Sequence, residues 1–313
     1  MYPLVGRFTL AAFVASFVFA GCGGSQPLPS SASAATQARI ARTEKSGDLL
    51  YASTQSGNLY VTTFPQGKYV GIVGVSGGSP IAICSDKHGN VFVPVQTVSS
   101  GTIYEFAHGG TSPIDTLSDP QPPMGCSVDP TTGNLAVANG KYGLAVYADA
   151  QGQPTMYDVA AWACTYDDKG NLFIDSAYNV ATLYELPKDG QLQSISLNER
   201  IGEYNDRGTS VQWDGKYLAI TYLPQRGHGS ATVYQVAVSG SSGTVENAIT
   251  LDSKTHNQQA YTPYTWSQDG SIAIPVAQGG RRIALYGYPR GGSLQKSIAV
   301  SGSVLGETVS VGK

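Results

Sequence analysis

Residues 167–175 read DDKGNLFID: an acidic turn that ends in Gly170-Asn171 and opens directly into an apolar strand. The phrase recurs as DKHGNVFV at 86–93 and DPTTGNLAV at 129–137, and more loosely as DGKYLAI at 214–220 and DGSIAI at 269–274. Its chemistry is that of a hairpin turn. Asp accepts amide N–H groups, Gly takes a positive φ, and Asn tolerates the same region where the next strand begins. The spacing lacks the alternating oxygen ligands and distal Glu of a calcium loop. The turn glycines Gly89, Gly133, Gly170, Gly215 and Gly270 are 44, 37, 45 and 55 residues apart. Units of about 40–50 residues that hold four short strands are propeller blades.

Composition agrees. Only 13% of the residues are charged and 38 of 313 are Gly, against averages of about 25% and about 7%. Such a chain favours strands and turns over helices. Five units of four strands can be laid out between residues 81 and 300. The N-terminal portion supplies only three strands, at 49–53, 58–64 and 69–75, and the GNLYV copy at 57–61 is out of phase with the other turns. One strand is left over near the C-terminus, GETVSV at 306–311, and it matches the innermost-strand phrases GCSVD at 125–129 and GTSVQW at 208–213. The expected fold is all-β: a six-bladed β-propeller over residues 47–313, closed by a C-terminal strand that completes the first blade.

The N-terminus carries a second signal. Arg7 is followed by an apolar run at 8–20 and then Gly21-Cys22. That run is too short to span a bilayer and suits the core of a signal peptide. Phe19-Ala20-Gly21-Cys22 resembles the lipobox of bacterial lipoproteins, with Phe19 where Leu is usual. The resemblance implies that residues 1–21 are a signal peptide and that Cys22 is lipidated after cleavage. Residues 22–46, rich in Ser, Ala, Gly and Pro, then form a flexible tether. Several acyl chains, at about 0.8 kcal/mol per methylene, would hold the protein on a membrane. Gly23 stands where Asp favours inner-membrane retention in enteric bacteria, which points to the outer membrane rather than the inner. The expected location is exported and anchored to the cell envelope.

Charge excludes one class of partner. The formal net charge is −3, no basic stripe exists, and nucleic-acid binding needs clustered Lys and Arg. Cys84, Cys126 and Cys164 all fall on expected innermost strands. Cys84 sits two residues before its turn Asp; Cys126 and Cys164 sit three before theirs. One residue reverses the face of a strand. Cys84 and Cys126 can therefore meet between neighbouring blades as a disulfide, or remain packed thiols, whereas Cys126 and Cys164 point the same way a blade apart. No GxSxG elbow, P-loop or Cys/His zinc spacing occurs. Propeller ligands gather where the innermost strands begin, at one mouth of the channel. The candidates there are Met124, Trp162, Arg207, His256, Tyr264 and Glu307.

The repeats over residues 48–312 resemble NHL-type and SMP-30-like six-bladed propellers. Leu305-Gly306-Glu307 resembles a phrase of the SMP-30/gluconolactonase family, which implies that Glu307 could bind a divalent cation; partner Asn and Asp ligands are not placed. Two functions stand. One is a non-catalytic binding or scaffold protein, tethered by lipid and engaging an envelope protein or glycan. The alternative is a metal-dependent, lactonase-like hydrolase or propeller lyase that uses Glu307 at the channel mouth. Without a catalytic constellation, the sequence favours binding and establishes no cofactor.

Overall fold

The computed structural model describes residues 47–176, 180–202, 206–224, 230–252, 264–266, 271–276 and 280–312. Apart from one 3-10 turn at Ala148–Ala150, every regular element among them is a strand. The first meander is β1 (Leu49–Thr54), β2 (Asn58–Thr63) and β3 (Tyr69–Gly74). Next come β4 (Ser79–Pro80), β5 (Cys84–Ser85), β6 (Val91–Gln96), β7 (Gly101–Phe106) and β8 (Pro113–Asp119), then β9 (Gly125–Val128), β10 (Leu135–Ala138), β11 (Leu144–Tyr147) and β12 (Thr155–Tyr157). A further run is β13 (Ala163–Tyr166), β14 (Leu172–Asp175), β15 (Leu183–Leu186) and β16 (Gln193–Leu197). It is followed by β17 (Asp206–Trp213), β18 (Leu218–Pro224), β19 (Thr232–Ser239) and β20 (Ser242–Thr250). The last are β21 (Tyr264–Trp266), β22 (Ser271–Val276), β23 (Arg282–Gly287), β24 (Leu294–Ala299) and β25 (Val304–Ser310).

Within each meander the strands pair antiparallel in chain order, except that β4 and β5 both pair with β6 and that β25 lies against β1, giving the order β25-β1-β2-β3. The register runs from Leu49 opposite Ser310 to Thr54 opposite Val304, with a bulge between Ser53 and Thr54. The closing strand is also fastened to the next meander. Ser85 Oγ donates to the Val309 carbonyl at 2.7 Å and shares a 3.0 Å hydrogen bond with Thr308 Oγ1. His108 Nδ1 and Ser310 Oγ are 2.6 Å apart, and Ser310 Oγ donates to the Gly89 carbonyl.

The meanders stack face to face, so the second strands β1, β6, β10 and β14 are buried on both sides. Period-two alternation then sends neighbouring residues into different cores. In β6, Val91, Val93 and Val95 pack toward β1 and β2, while Phe92 packs with Leu135 and Val137 of β10. In β10, Ala136 and Ala138 turn the other way, onto Leu172 and Ile174 of β14. This double burial is why these strands read as unbroken apolar runs. Outer strands are mostly exposed, as in β24.

The turn phrase performs the expected work. Asp86 Oδ1 accepts the amides of His88 and Asn90, each at 2.8 Å, and Asp167 Oδ1 accepts those of Lys169 and Asn171 at 2.9 and 2.8 Å. Gly89 and Gly170 both have φ +88°, a region closed to most side chains.

Two features depart from the sequence reading. The innermost strand that leads into the Asp86 turn is split into β4 and β5, both paired with β6. Opposite the gap lies Pro94, which has no N–H to give, and the Ile81 carbonyl accepts Ser53 Oγ at 2.7 Å instead. Second, β16 and β20 join in parallel through Ser196–Ser242 and Leu197–Gly243, merging two meanders into one eight-stranded sheet.

Deleting residues 301–313 would remove β25. Val304 and Val309 are 5% and 1% exposed, and burial of each contributes about 1.5–3 kcal/mol. The thermal midpoint by circular dichroism should therefore fall by about 10 °C or more. An unchanged midpoint would contradict closure by this strand.

Candidate functional site

Met124 and Trp162 come together at the mouth where the innermost strands begin. Each is fixed by its backbone: Met124 N–H donates to the Ala138 carbonyl at 2.7 Å and Trp162 N–H to the Asp175 carbonyl at 2.9 Å. Gly140, at φ +60°, lies between their side chains. A methyl there would sit 3.5 Å from both Met124 Cγ and the Trp162 ring carbon Cζ3. Gln96 Nε2 approaches the Met124 sulfur at 3.5 Å. Beneath them a small cavity of about 20 Å³ touches Cys126, Cys164, Ser210 and Gln212, room for about one water. Ser210 Oγ is buried there without a hydrogen-bond partner.

Beside this pair is a shallow basin of about 510 Å³ lined by Ser79, Gln96, Thr97, Val98, Pro122 and Tyr142. Val98 is 99% exposed and Tyr142 51%. The Lys141 ammonium lies 5.0 Å from the Tyr142 ring centre. The wall under Pro122 is tied by hydrogen bonds. Fully buried Asp119 accepts Asn139 Nδ2 at 2.9 Å and the Gln121 amide at 3.0 Å. Burial pushes the Asp119 carboxyl above its usual range, against the pull of those two bonds.

At the opposite end, a cleft of about 300 Å³ is lined by Asp86, Lys87, His88, Glu105, Asp115, Asp129 and Asp149. Burial raises the Glu105 carboxyl, helped by the charges of Asp86 and Asp115. Asp86 and Asp129 spend their oxygens on their own turns. Among the described residues, no three His, Cys, Asp or Glu side chains are grouped to hold a metal ion.

Glu307 is in β25, opposite Ala52, and is 1% exposed. Its cross-strand neighbour Ala52 and its i+2 neighbour Val309 belong to the apolar cluster with Leu50, Ile283 and Leu285. Glu307 shares that face. Neither carboxyl oxygen has a hydrogen-bond partner, and burial drives the group well above the ordinary carboxylate range. It therefore faces the seam between the first and last meanders, shielded from solvent. Arg207 and Tyr264 are placed in β17 and β21. His256 and Cys22 lie outside the described residues.

Cys84 and Cys126 are joined, with S–S 2.06 Å and Cα–Cα 5.7 Å. Cys164 is a buried free thiol that burial pushes up to about 12, so it holds almost no thiolate for exchange near neutral pH. The basin residues Val98, Pro122 and Tyr142 were not singled out from the sequence. The one hint was an apolar Val98 in an otherwise polar turn.

No protein-family model and no curated protein matches the chain. Solved structures do. Kuenenia stuttgartiensis hydrazine synthase is 14% identical, with TM-score 0.57, over 93% of this chain and 92% of that one. A protein from Lactobacillus plantarum is 13% identical, with TM-score 0.57, over 84% and 98%. Apo AztD from Citrobacter koseri is 9% identical, with TM-score 0.51, over 85% and 98%. These likenesses show a propeller fold and carry no activity with them.

The disulfide spans 42 residues of sequence. Constraining a loop of that length in the unfolded chain is worth about 4 kcal/mol. Cys84→Ser with Cys126→Ser should lower the stability measured by urea unfolding by that order. A loss below about 1 kcal/mol would show that the bond adds little constraint.

Proposed function

We propose that the chain is an exported, lipid-anchored propeller of six blades that binds an envelope protein or glycan without catalysing a reaction. The observation that carries the binding role is the basin at the channel mouth. A fully exposed Val98 and a half-exposed Tyr142 flank it, beside Met124 and Trp162 and over a wall held by Asp119. Exposed apolar and aromatic groups on a preorganised surface are what partner-binding faces present. The count of six blades is supported by six apolar clusters among the described residues, each shared by neighbouring meanders, the last linking β23 back to β1.

The anchor is supported by the apolar run at 8–20 and the Phe19-Ala20-Gly21-Cys22 phrase. In this reading residues 1–21 are removed, Cys22 carries lipid, and residues 23–46 hold the propeller off the membrane, the outer one by the evidence of Gly23. The hydrolase or lyase alternative rests on Glu307, whose buried position in the seam favours the binding role over it.

Two measurements test this. Cys22→Ser should move the protein from the detergent to the aqueous phase on partition; retention in detergent would contradict the anchor. In quantitative pull-downs from solubilised envelopes, Val98→Asp with Tyr142→Ala should cut partner recovery about tenfold or more, since a truncated hot spot costs roughly 2 kcal/mol. Equal recovery, or no partner enriched by the wild type, would contradict the basin as the binding face.

A further inference from the structure

We propose that β25 is a releasable strap: the ring opens at the β25–β1 seam while the other meanders stay folded. Two independent observations carry this. The first is connectivity. In β9–β10 and β13–β14 the innermost strand is tied to the second strand by a short Asp–Gly turn. β25 and β1 are joined by no turn; Ala52 and its partner Glu307 are separated by the whole ring. Strands linked by such a turn stay side by side when their ladder breaks, whereas β25 is held to β1 by the ladder and side-chain bonds alone.

The second observation is Glu307. It is buried in an apolar seam with both carboxyl oxygens unpartnered. Such a group loses its water without gaining a replacement hydrogen bond, and the cost falls on the closed state alone. Releasing β25 returns Glu307 to solvent and removes that cost. The polar residues on the other face of β25 behave differently: Thr308 is bonded to Ser85, and Ser310 to His108 and the Gly89 carbonyl. Glu307 thus weakens this seam. Once released, the β1 edge from Leu49 to Thr54 exposes a row of backbone donors and acceptors in register for one strand.

Hydrogen exchange followed by mass spectrometry on the full chain tests this. In the wild type, amides of 304–310 should exchange at least tenfold faster than those of β6 and β10. Glu307→Met, which fills the space without a buried polar group, should slow exchange in 304–310 by about tenfold or more and leave β10 unchanged. Exchange of 304–310 at the rate of β6 and β10 in the wild type would overturn the proposal, and needs no variant. So would a Glu307→Met protein that folds but exchanges this strand as fast as before. If Glu307→Met fails to fold, Glu307→Gln serves, with a smaller slowing expected from removing the charge alone.

Discussion

The structure depends on one ladder that no turn enforces: the pairing of β25 with β1. The second strands β1, β6, β10 and β14 are buried on both faces against neighbouring meanders, so each needs a neighbour on either side. A row of such units has two uncovered ends, and only a closed ring removes them. The ladder from Leu49–Ser310 to Thr54–Val304 brings the ends together. Leu50, Ala52 and Val309 then pack on Ile283 and Leu285. Ser85 and His108 fasten the closing strand to the following meander.

The acidic turns make a second set of ties. Their carboxylates hold their own hairpins and also receive groups from adjoining meanders. Trp213 Nε1 donates to Asp168 at 2.9 Å, and Tyr288 OH donates to Asp214, which also accepts Gln235 Nε2 of its own meander. Lys87 reaches the Pro130 carbonyl at 2.8 Å. A phrase that first reads as local turn chemistry therefore also works between sheets, at the end of the ring opposite the candidate binding mouth. That division leaves the basin around Val98 and Tyr142 free of structural duty.

The repeated phrase and its spacing made the propeller fold, the strand phase and the role of the C-terminal strand legible, because each follows from short-range turn geometry and period-two patterning. The facing of Cys84 toward Cys126 was legible for the same reason, as a count from the turn. What was not legible depends on contacts between sheets. The split of the innermost strand needs the Ser53–Ile81 bond and the missing Pro94 donor together. The parallel junction of β16 with β20 pairs residues of different units, which no single repeat encodes. Glu307 carried a family-like phrase but not its surroundings; only packing reveals that its face is apolar. The basin went unseen because Val98, Pro122 and Tyr142 come from three separate loops.

The central claim is that β25 completes the sheet begun by β1. The most direct measurement is nuclear magnetic resonance of a deuterated sample, looking for through-space backbone contacts between these strands. Contacts pairing Leu50 with Val309 and Ala52 with Glu307 are predicted, alongside those of the β1–β2 hairpin. If β1–β2 contacts are present while residues 304–310 show contacts to some other strand, or to none, the ring is not closed in this way.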